Sequence, residues 1–315
     1  MASPLKKRIR RLRARLEGSV VLLARLLFTR CSRARILCVA RLLGAGATCC
    51  ARRQRRVAEA NLAILFGSRL SARRRRALIR AHFRHAARVL LDLFWFTHDG
   101  KTRVARWVSV DAPLLAWLRA HPGSIIVTGH LGNWEVAGQT VVAHGYPLTS
   151  VAKRVGTSAT TQRLNHYRRA LGQKIVMAEG AVRGLVRALG AGEFVALLID
   201  QHVDPAEGGV WVDLAGLPVA VSSAPARLAM KYQVPVGVCF AQSLPDGRYR
   251  CRLLGTCTPA PDDDPVRVTQ QIIDLLAGAI RRYPSQWLLG YKRWKRWPPE
   301  ADASRYPFYA RPWQG

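Results

Sequence analysis

At 315 residues with 49% apolar side chains, the chain has the length for one large α/β domain plus an N-terminal element, and the apolar content for a real core. Fifty Lys and Arg against 19 Asp and Glu give a formal net charge of +31, which implies an anionic partner: a membrane surface, a nucleic acid or an acidic protein. No run reaches the roughly 18 uncharged apolar residues a spanning helix needs. A cleavable signal peptide is not expected either, since Val20 to Phe28 is broken by Arg25 and lacks a small-residue cleavage site.

The charge is concentrated early. Residues 1–90 hold 24 Lys and Arg but only two acids, Glu17 and Glu59. Leu5, Ile9, Leu12, Leu16, Val20 and Leu23 recur at near-helical spacing over residues 5–28, with seven cations between Lys6 and Arg15. A basic amphipathic helix of this kind reads as a membrane-surface anchor, the alternative being a basic tail without fixed structure. Ile36 to Ala47 is apolar but holds Arg41 and two glycines, which suits an interfacial segment. Residues 1–50 are therefore expected to form the anchor, attracted to an anionic leaflet by about 1 kcal/mol per nearby cation.

Residues 52–66 and 72–96 read as two further helices, with Ser71 as N-cap of the second, in a helical lead-in over 51–108. The run Arg73 to Arg76 places cations against the positive end of a helix dipole, which invites an anion or else a solvated face. Leu90, Leu91, Leu93, Phe94, Trp95 and Phe96 make a dense apolar end suited to core, to an acyl groove or to lipid.

From Ser109 the pattern alternates. Strands are expected at 124–128, 148–152, 174–177, 194–199, 234–239 and 249–254. Helices are expected at 113–120, 134–144, 158–170, 181–190, 222–232 and 266–282. This predicts an α/β fold over 51–300: a mixed, mostly parallel sheet with helices on both faces, preceded by an N-terminal membrane-associated helical segment and followed by a tail, 301–315. The seven cysteines are odd in number and fit no zinc spacing, so they read as reduced thiols in a cytosol-facing protein. The scattered histidines have no ligand spacing, so neither metal nor cofactor is expected.

One stretch carries chemistry. Ile125-Ile-Val-Thr128 is a buried strand, Gly129 follows, and His130 stands where the strand ends. Leu131-Gly-Asn133 turns, Asn133 caps, and Trp134-Glu135 opens a helix. An imidazole at a strand tip with an acid across a tight turn suits a general base, His130, and an orienting partner, Glu135. Lys153-Arg154 and Asp200-Gln201 fall at other strand ends, where open α/β sheets gather ligands. Arg154 suits a phosphate or sugar, and amides around Gly132 and Asn133 suit an oxyanion. Arg293 and Lys295 lie among Tyr291, Trp294 and Trp297, a composition suited to lipid headgroups or to single-stranded nucleic acid.

His130-Leu-Gly-Asn-Trp-Glu135 is very similar to the His-Phe-Gly-Asn-Trp-Glu signature of the bacterial lipid A lauroyl/myristoyl acyltransferases, a family that includes the mycobacterial phosphatidylinositol mannoside acyltransferases. Leu131 stands where Phe is usual. Arg56 to Asn61-Leu62 and Phe66, the basic Lys153-Arg154, Asp200-Gln201, and Tyr283-Pro-Ser-Gln286-Trp287 through Arg293, Lys295 and Pro298 resemble further family segments, so the likeness spans roughly residues 20 to 300. It implies transfer of a fatty acyl chain from acyl carrier protein, or acyl-CoA, to a hydroxyl of a lipid A precursor or related glycolipid, at the cytoplasmic face of the bacterial inner membrane. His130 and Glu135 would be catalytic, and Asn133, Lys153, Arg154, Asp200, Gln201 and Arg293 substrate-binding. No Gly-x-Ser-x-Gly elbow offers a covalent route. Two other readings stay open: a basic nucleic-acid-binding protein, for which no known motif appears, and a thioesterase on the same fold.

Overall fold

The β-branched runs do form one sheet in the computed structural model, which describes residues 17–19 and 21–314. In chain order the strands are β1 (Val108–Val110), β2 (Ile125–Thr128), β3 (Leu148–Ala152), β4 (Lys174–Met177), β5 (Phe194–Leu198), β6 (Gly209–Leu214), β7 (Leu217–Ser222), β8 (Val236–Ser243) and β9 (Tyr249–Cys257). Seven of them make a sheet of order β1-β9-β8-β2-β5-β3-β4. Every neighbouring pair is parallel except β8 with β9. All six expected strands are present, and the mixed, mostly parallel α/β sheet is the architecture.

Alternation along the strands splits the core in two. Ile125, Val127, Val195 and Leu197 point into one apolar cluster with helices α8 (Ala181–Gly190), α9 (Ala224–Tyr232) and α10 (Pro265–Arg282). Ile126, Phe194 and Ala196 point into the other with α5 (Ala112–Ala120) and α6 (Trp134–Ala143). Helices therefore cover both faces. Each fully buried aliphatic side chain contributes about 1.5–3 kcal/mol, and the central strand β2, buried at all four positions, is held from both sides.

Helices α1 (Arg33–Cys50), α2 (Arg52–Phe66), α3 (Ala72–Trp95) and α4 (Gly100–Trp107) lead in, and α7 (Ser158–Arg168) follows β3. Ser71 caps α3, accepting from the Arg74 amide at 3.3 Å. Within α1, Ile36, Ala40 and Gly44 are buried. A Cβ on Gly44 would lie 2.4 Å from Arg84 Cα, so glycine there permits the close crossing of α1 on α3. The opposite side of α1 exposes Cys38, Leu42 and Leu43. The segment expected to be interfacial is thus half core and half exposed.

Of the expected helix over 5–28, residues 5–16 and 20 lie outside the described residues, while 17–19 and 21–28 are helical. Among the described residues no single helix is long and apolar enough to cross a membrane; α1 and the segment that follows it reach that length only as a pair bent by 90°.

Strand β1 and helix α4 were not among the expected elements, and two further features were unexpected. Residues expected to be loop after Asp200 lead into the β6–β7 hairpin, whose turn residues Ala215 and Gly216 have φ of 63° and 84°. Positive φ at both central positions is what a two-residue hairpin turn requires. The other is β10 (Arg296–Trp297) paired with β11 (Arg311–Pro312), which returns the C-terminal residues to the body.

Candidate active site

Parallel pairing of β2 with β5 sets Thr128 beside Leu198. The same offset carries two residues further, placing His130 beside Asp200. Gly129 allows the approach: a Cβ there would sit 3.1 Å from the Asp200 carboxyl carbon. Asp200 Oδ1 accepts from the His130 backbone N–H at 2.9 Å and from His130 Nδ1 at 2.7 Å. Its Oδ2 accepts from Trp287 Nε1 at 2.9 Å and Arg293 Nη2 at 2.6 Å, while Arg293 Nε donates to the Asp200 carbonyl at 3.0 Å. The Arg293 guanidinium stacks 3.6 Å from the Trp287 ring centroid.

Burial alone would raise the Asp200 carboxyl. The charges of Arg293 and His130, with their hydrogen bonds, more than reverse it and hold the group well below the usual carboxylate range. In the neutral ring an ionised Asp200 favours the proton on His130 Nδ1, the tautomer that leaves the lone pair on Nε2. Gln201 Nε2 lies 3.1 Å from that atom, and the His130 side chain keeps 17% of its surface exposed.

The expected partner of His130 was Glu135, and here the geometry differs. Glu135 is held by Arg168 of α7 through contacts of 3.0 Å to Oε2 and 2.6 Å to Oε1, and Arg168 also donates to Asn165 at 3.0 Å. The acid in the first turn of α6 thus ties α6 to α7, while the strand register delivers Asp200 to the imidazole. Asp200, expected among the substrate contacts, is the group that orients His130.

Asn133 caps α6, accepting from the Val136 amide at 3.1 Å, and its Nδ2 donates to the Tyr249 hydroxyl at 3.0 Å. It is fully buried, with both ends of its amide in use, so it supports the turn and is not placed to touch a substrate. The amides expected to stabilise an oxyanion are also taken: Gly132 N–H donates to Gln286 O at 3.0 Å and Asn133 N–H to Ala241 O at 2.9 Å. Gly132 has φ 62° and a Cβ there would meet Ala241 O at 2.0 Å, so only glycine fits. Arg293 is not part of a headgroup-facing stretch; it and Trp294 are fully buried. Lys153 and Arg154 are exposed, and the acid that Arg154 approaches among the described residues is Glu179, at 3.9 Å.

Several supporting residues escaped the sequence reading. His85 of α3 donates through Nε2 to Gly132 O at 2.9 Å, with Ser243 Oγ 3.3 Å from Nδ1. Burial pushes His85 down to about 4 and neighbouring His82 down to about 3. Below Asn133, Tyr249 donates to Asp92, which pairs with Arg33 of α1. Trp287 lay inside a motif already singled out; the helical histidines and Asp92 carried no spacing that marks them. Among the described residues no group of His, Cys, Asp and Glu has metal-binding geometry.

Two comparisons with known proteins bear on this arrangement. The profile described as "Bacterial lipid A biosynthesis acyltransferase" matches residues 6–296. The phosphatidylinositol mannoside acyltransferase of Mycolicibacterium smegmatis is 27% identical over 223 residues, 69% of this chain and 72% of that protein. The protein of the same name from Mycobacterium tuberculosis is 28% identical over 192 residues, 59% of this chain and 57% of that protein.

Proposed function

Because this chain belongs to the bacterial lipid A biosynthesis acyltransferase family, we propose that it moves a fatty acyl chain from a thioester, on acyl carrier protein or coenzyme A, to a hydroxyl of a glycolipid. The acceptor is a lipid A precursor or, following the names of the two mycobacterial relatives, a mannosylated phosphatidylinositol. The observation that carries the reading is an imidazole at a strand tip whose Nδ1 is held by a buried carboxylate at 2.7 Å, with Nε2 on the far side of the ring.

His130 Nε2 takes the proton of the acceptor hydroxyl as its oxygen attacks the thioester carbonyl. Asp200 holds the tautomer and stabilises the imidazolium that forms, as the acid of a hydrolase triad does. Collapse of the tetrahedral intermediate expels the thiolate, which regains the proton from Nε2. No acyl-enzyme is required. Glu135 contributes at a distance, by holding α7 against α6 through Arg168.

The exposed surface supports a membrane setting. Leu22, Leu23, Leu26, Leu27, Leu42, Leu43 and Leu90 are exposed large apolar side chains near the N-terminal helices, in a region that carries most of its charge as arginine. Leucines in the acyl boundary and cations at anionic headgroups suit peripheral binding at the cytoplasmic face of the inner membrane. An acidic carrier protein is matched by the same positive charge.

The test uses purified protein, a long-chain acyl-CoA and vesicles containing phosphatidylinositol mannoside or a lipid A precursor, with products read by mass spectrometry. An acylated glycolipid is expected with wild type and none with His130→Ala. Release of free fatty acid without acylated lipid would make the protein a thioesterase. Salt-sensitive binding to nucleic acid with neither activity would overturn the reading.

A further inference from the structure

Resting on the acyl-transfer reading above, one unassigned step is where the thioester oxygen places its charge as the hydroxyl attacks. A preorganised donor at that oxygen is worth about 10²–10³ in rate. Three of the four amides of the His130–Asn133 turn do not supply it, since those of His130, Gly132 and Asn133 already donate to Asp200, Gln286 and Ala241. The side-chain amide of Asn133 is also committed, to Tyr249.

Gln201 is placed differently. Its backbone follows Asp200, which Arg293 and Trp287 fix from the other side. Its side chain is half-buried, and the one hydrogen bond it makes among the described residues reaches His130 Nε2, at 3.1 Å. With the His130 proton on Nδ1, Nε2 can only accept, so the amide nitrogen of Gln201 faces it as donor. That is the place a reacting hydroxyl must occupy.

We infer that Gln201 is a catalytic residue that caps the base before substrate binds and then serves as the oxyanion donor. The incoming hydroxyl displaces the amide from Nε2 and takes its hydrogen bond. The acyl carbonyl oxygen ends two bonds from the attacking oxygen, within a small rotation of the Gln201 side chain. As the O–C bond forms, Nε2 takes the hydroxyl proton and the carbonyl π pair moves onto oxygen, where the Gln201 N–H donates. The π bond then re-forms, the C–S bond breaks, and the thiolate takes the proton from Nε2. Ester and thiol are the products, and no other reactant is consumed.

Gln201→Met keeps the length of the side chain without a donor, and Gln201→Asn keeps a donor on a shorter stem. Both are compared with wild type in the acyl-CoA and phosphatidylinositol mannoside vesicle assay, with thermal melts to confirm folding. The expected result is a fall in kcat of about 10²–10³-fold for Gln201→Met with the acyl-CoA KM nearly unchanged, and partial recovery in Gln201→Asn. A Gln201→Met kcat within about threefold of wild type overturns the inference and leaves the charge to the α6 N-terminal amides; so does a raised KM at unchanged kcat, the mark of uniform binding. Wild-type protein that transfers no more than His130→Ala would defeat the acyl-transfer reading itself, a result distinct from either of these.

Discussion

Two carboxylates flank the same turn, Asp200 buried and Glu135 partly buried, and each is paired with an arginine. Glu135 is five residues from His130, yet Arg168 takes both its oxygens; Asp200 is seventy residues away, yet it holds the imidazole. The difference is in what each acid is asked to hold. Arg168 spans two helices with Glu135 and retains 17% exposure. Asp200 has 1% side-chain exposure, contacts four donors and sits between a base and a fully buried guanidinium. Proximity along the chain is a poor guide to which acid serves a base, because a parallel sheet joins residues by register.

Breaking the deeper pair gives the largest expected effect. Asp200→Asn keeps the shape but removes the charge, so His130 loses its tautomer lock and Arg293 is left as an unpaired buried cation. A loss of kcat near 10⁴-fold is expected by analogy with the hydrolase triad, together with destabilisation of about 3–5 kcal/mol from breaking a buried pair. Steady-state rates and urea titration read the two parts separately. Wild-type activity in this variant would return the orienting role to Glu135.

The converse substitution sharpens the comparison. Glu135→Gln keeps one acceptor for Arg168 and leaves His130 and Asp200 untouched. The expected loss is about 1–3 kcal/mol of stability and an activity change of no more than about tenfold, the equivalent of about 1.4 kcal/mol. A double variant with Arg168→Met should cost less than the two single changes added, since the pair acts as a unit. A loss of activity matching Asp200→Asn would show that Glu135 takes part in the chemistry.

Much of the fold was legible because its signals are local. Ile125 to Thr128 is a β-branched run between Gly123 and Gly129, Asn133 is an N-cap, and the helix caps and strand runs around them follow the same rules. The β6–β7 hairpin was not legible, because Ala215 adopts positive φ where the usual signals are Asn or Gly. In the site, His130 was legible from its position after a strand, and Asp200-Gln201 from ending one. Their partnership was not, since strand order β2-β5 joins segments separated by three helices and two strands. Arg293 looked like a surface cation among aromatics; only packing shows that Trp287 and Asp200 enclose it.

Acid stability probes a third tier, the groups beneath the turn. His82 and His85 are neutral in the fold, pushed by burial to about 3 and about 4 from an ordinary value of 6.5. The unfolded chain binds protons at these two groups below pH 6.5 while the folded chain does not, so their contribution is fully present above pH 6.5. It is lost as the pH falls from 6.5 toward 4. Asp200, depressed in the fold, adds a further loss only below the ordinary carboxylate range, as the unfolded chain takes up a proton that the fold refuses. The melting temperature is therefore expected to drop across pH 6.5 to 4, before any carboxylate contributes much. His82→Phe, at a ring whose Nδ1 has no partner, should flatten that slope without touching His130.

The smallest effect is expected at the surface. Arg154 is 74% exposed and 3.9 Å from Glu179, itself 65% exposed, so removing it should change stability by less than about 1 kcal/mol, as for other solvated pairs. Its value as a test lies in the KM. Arg154 stands just past β3, the strand that borders β5 and so lies two strands from His130, where an anionic part of the donor or acceptor would meet the first exposed cations. If Arg154→Ala, alone and with Lys153→Ala, raises the KM for acceptor vesicles while kcat holds, the exposed pair reads the substrate and the buried Asp200–Arg293 pair serves the base. Unchanged KM would confine recognition to residues nearer the turn.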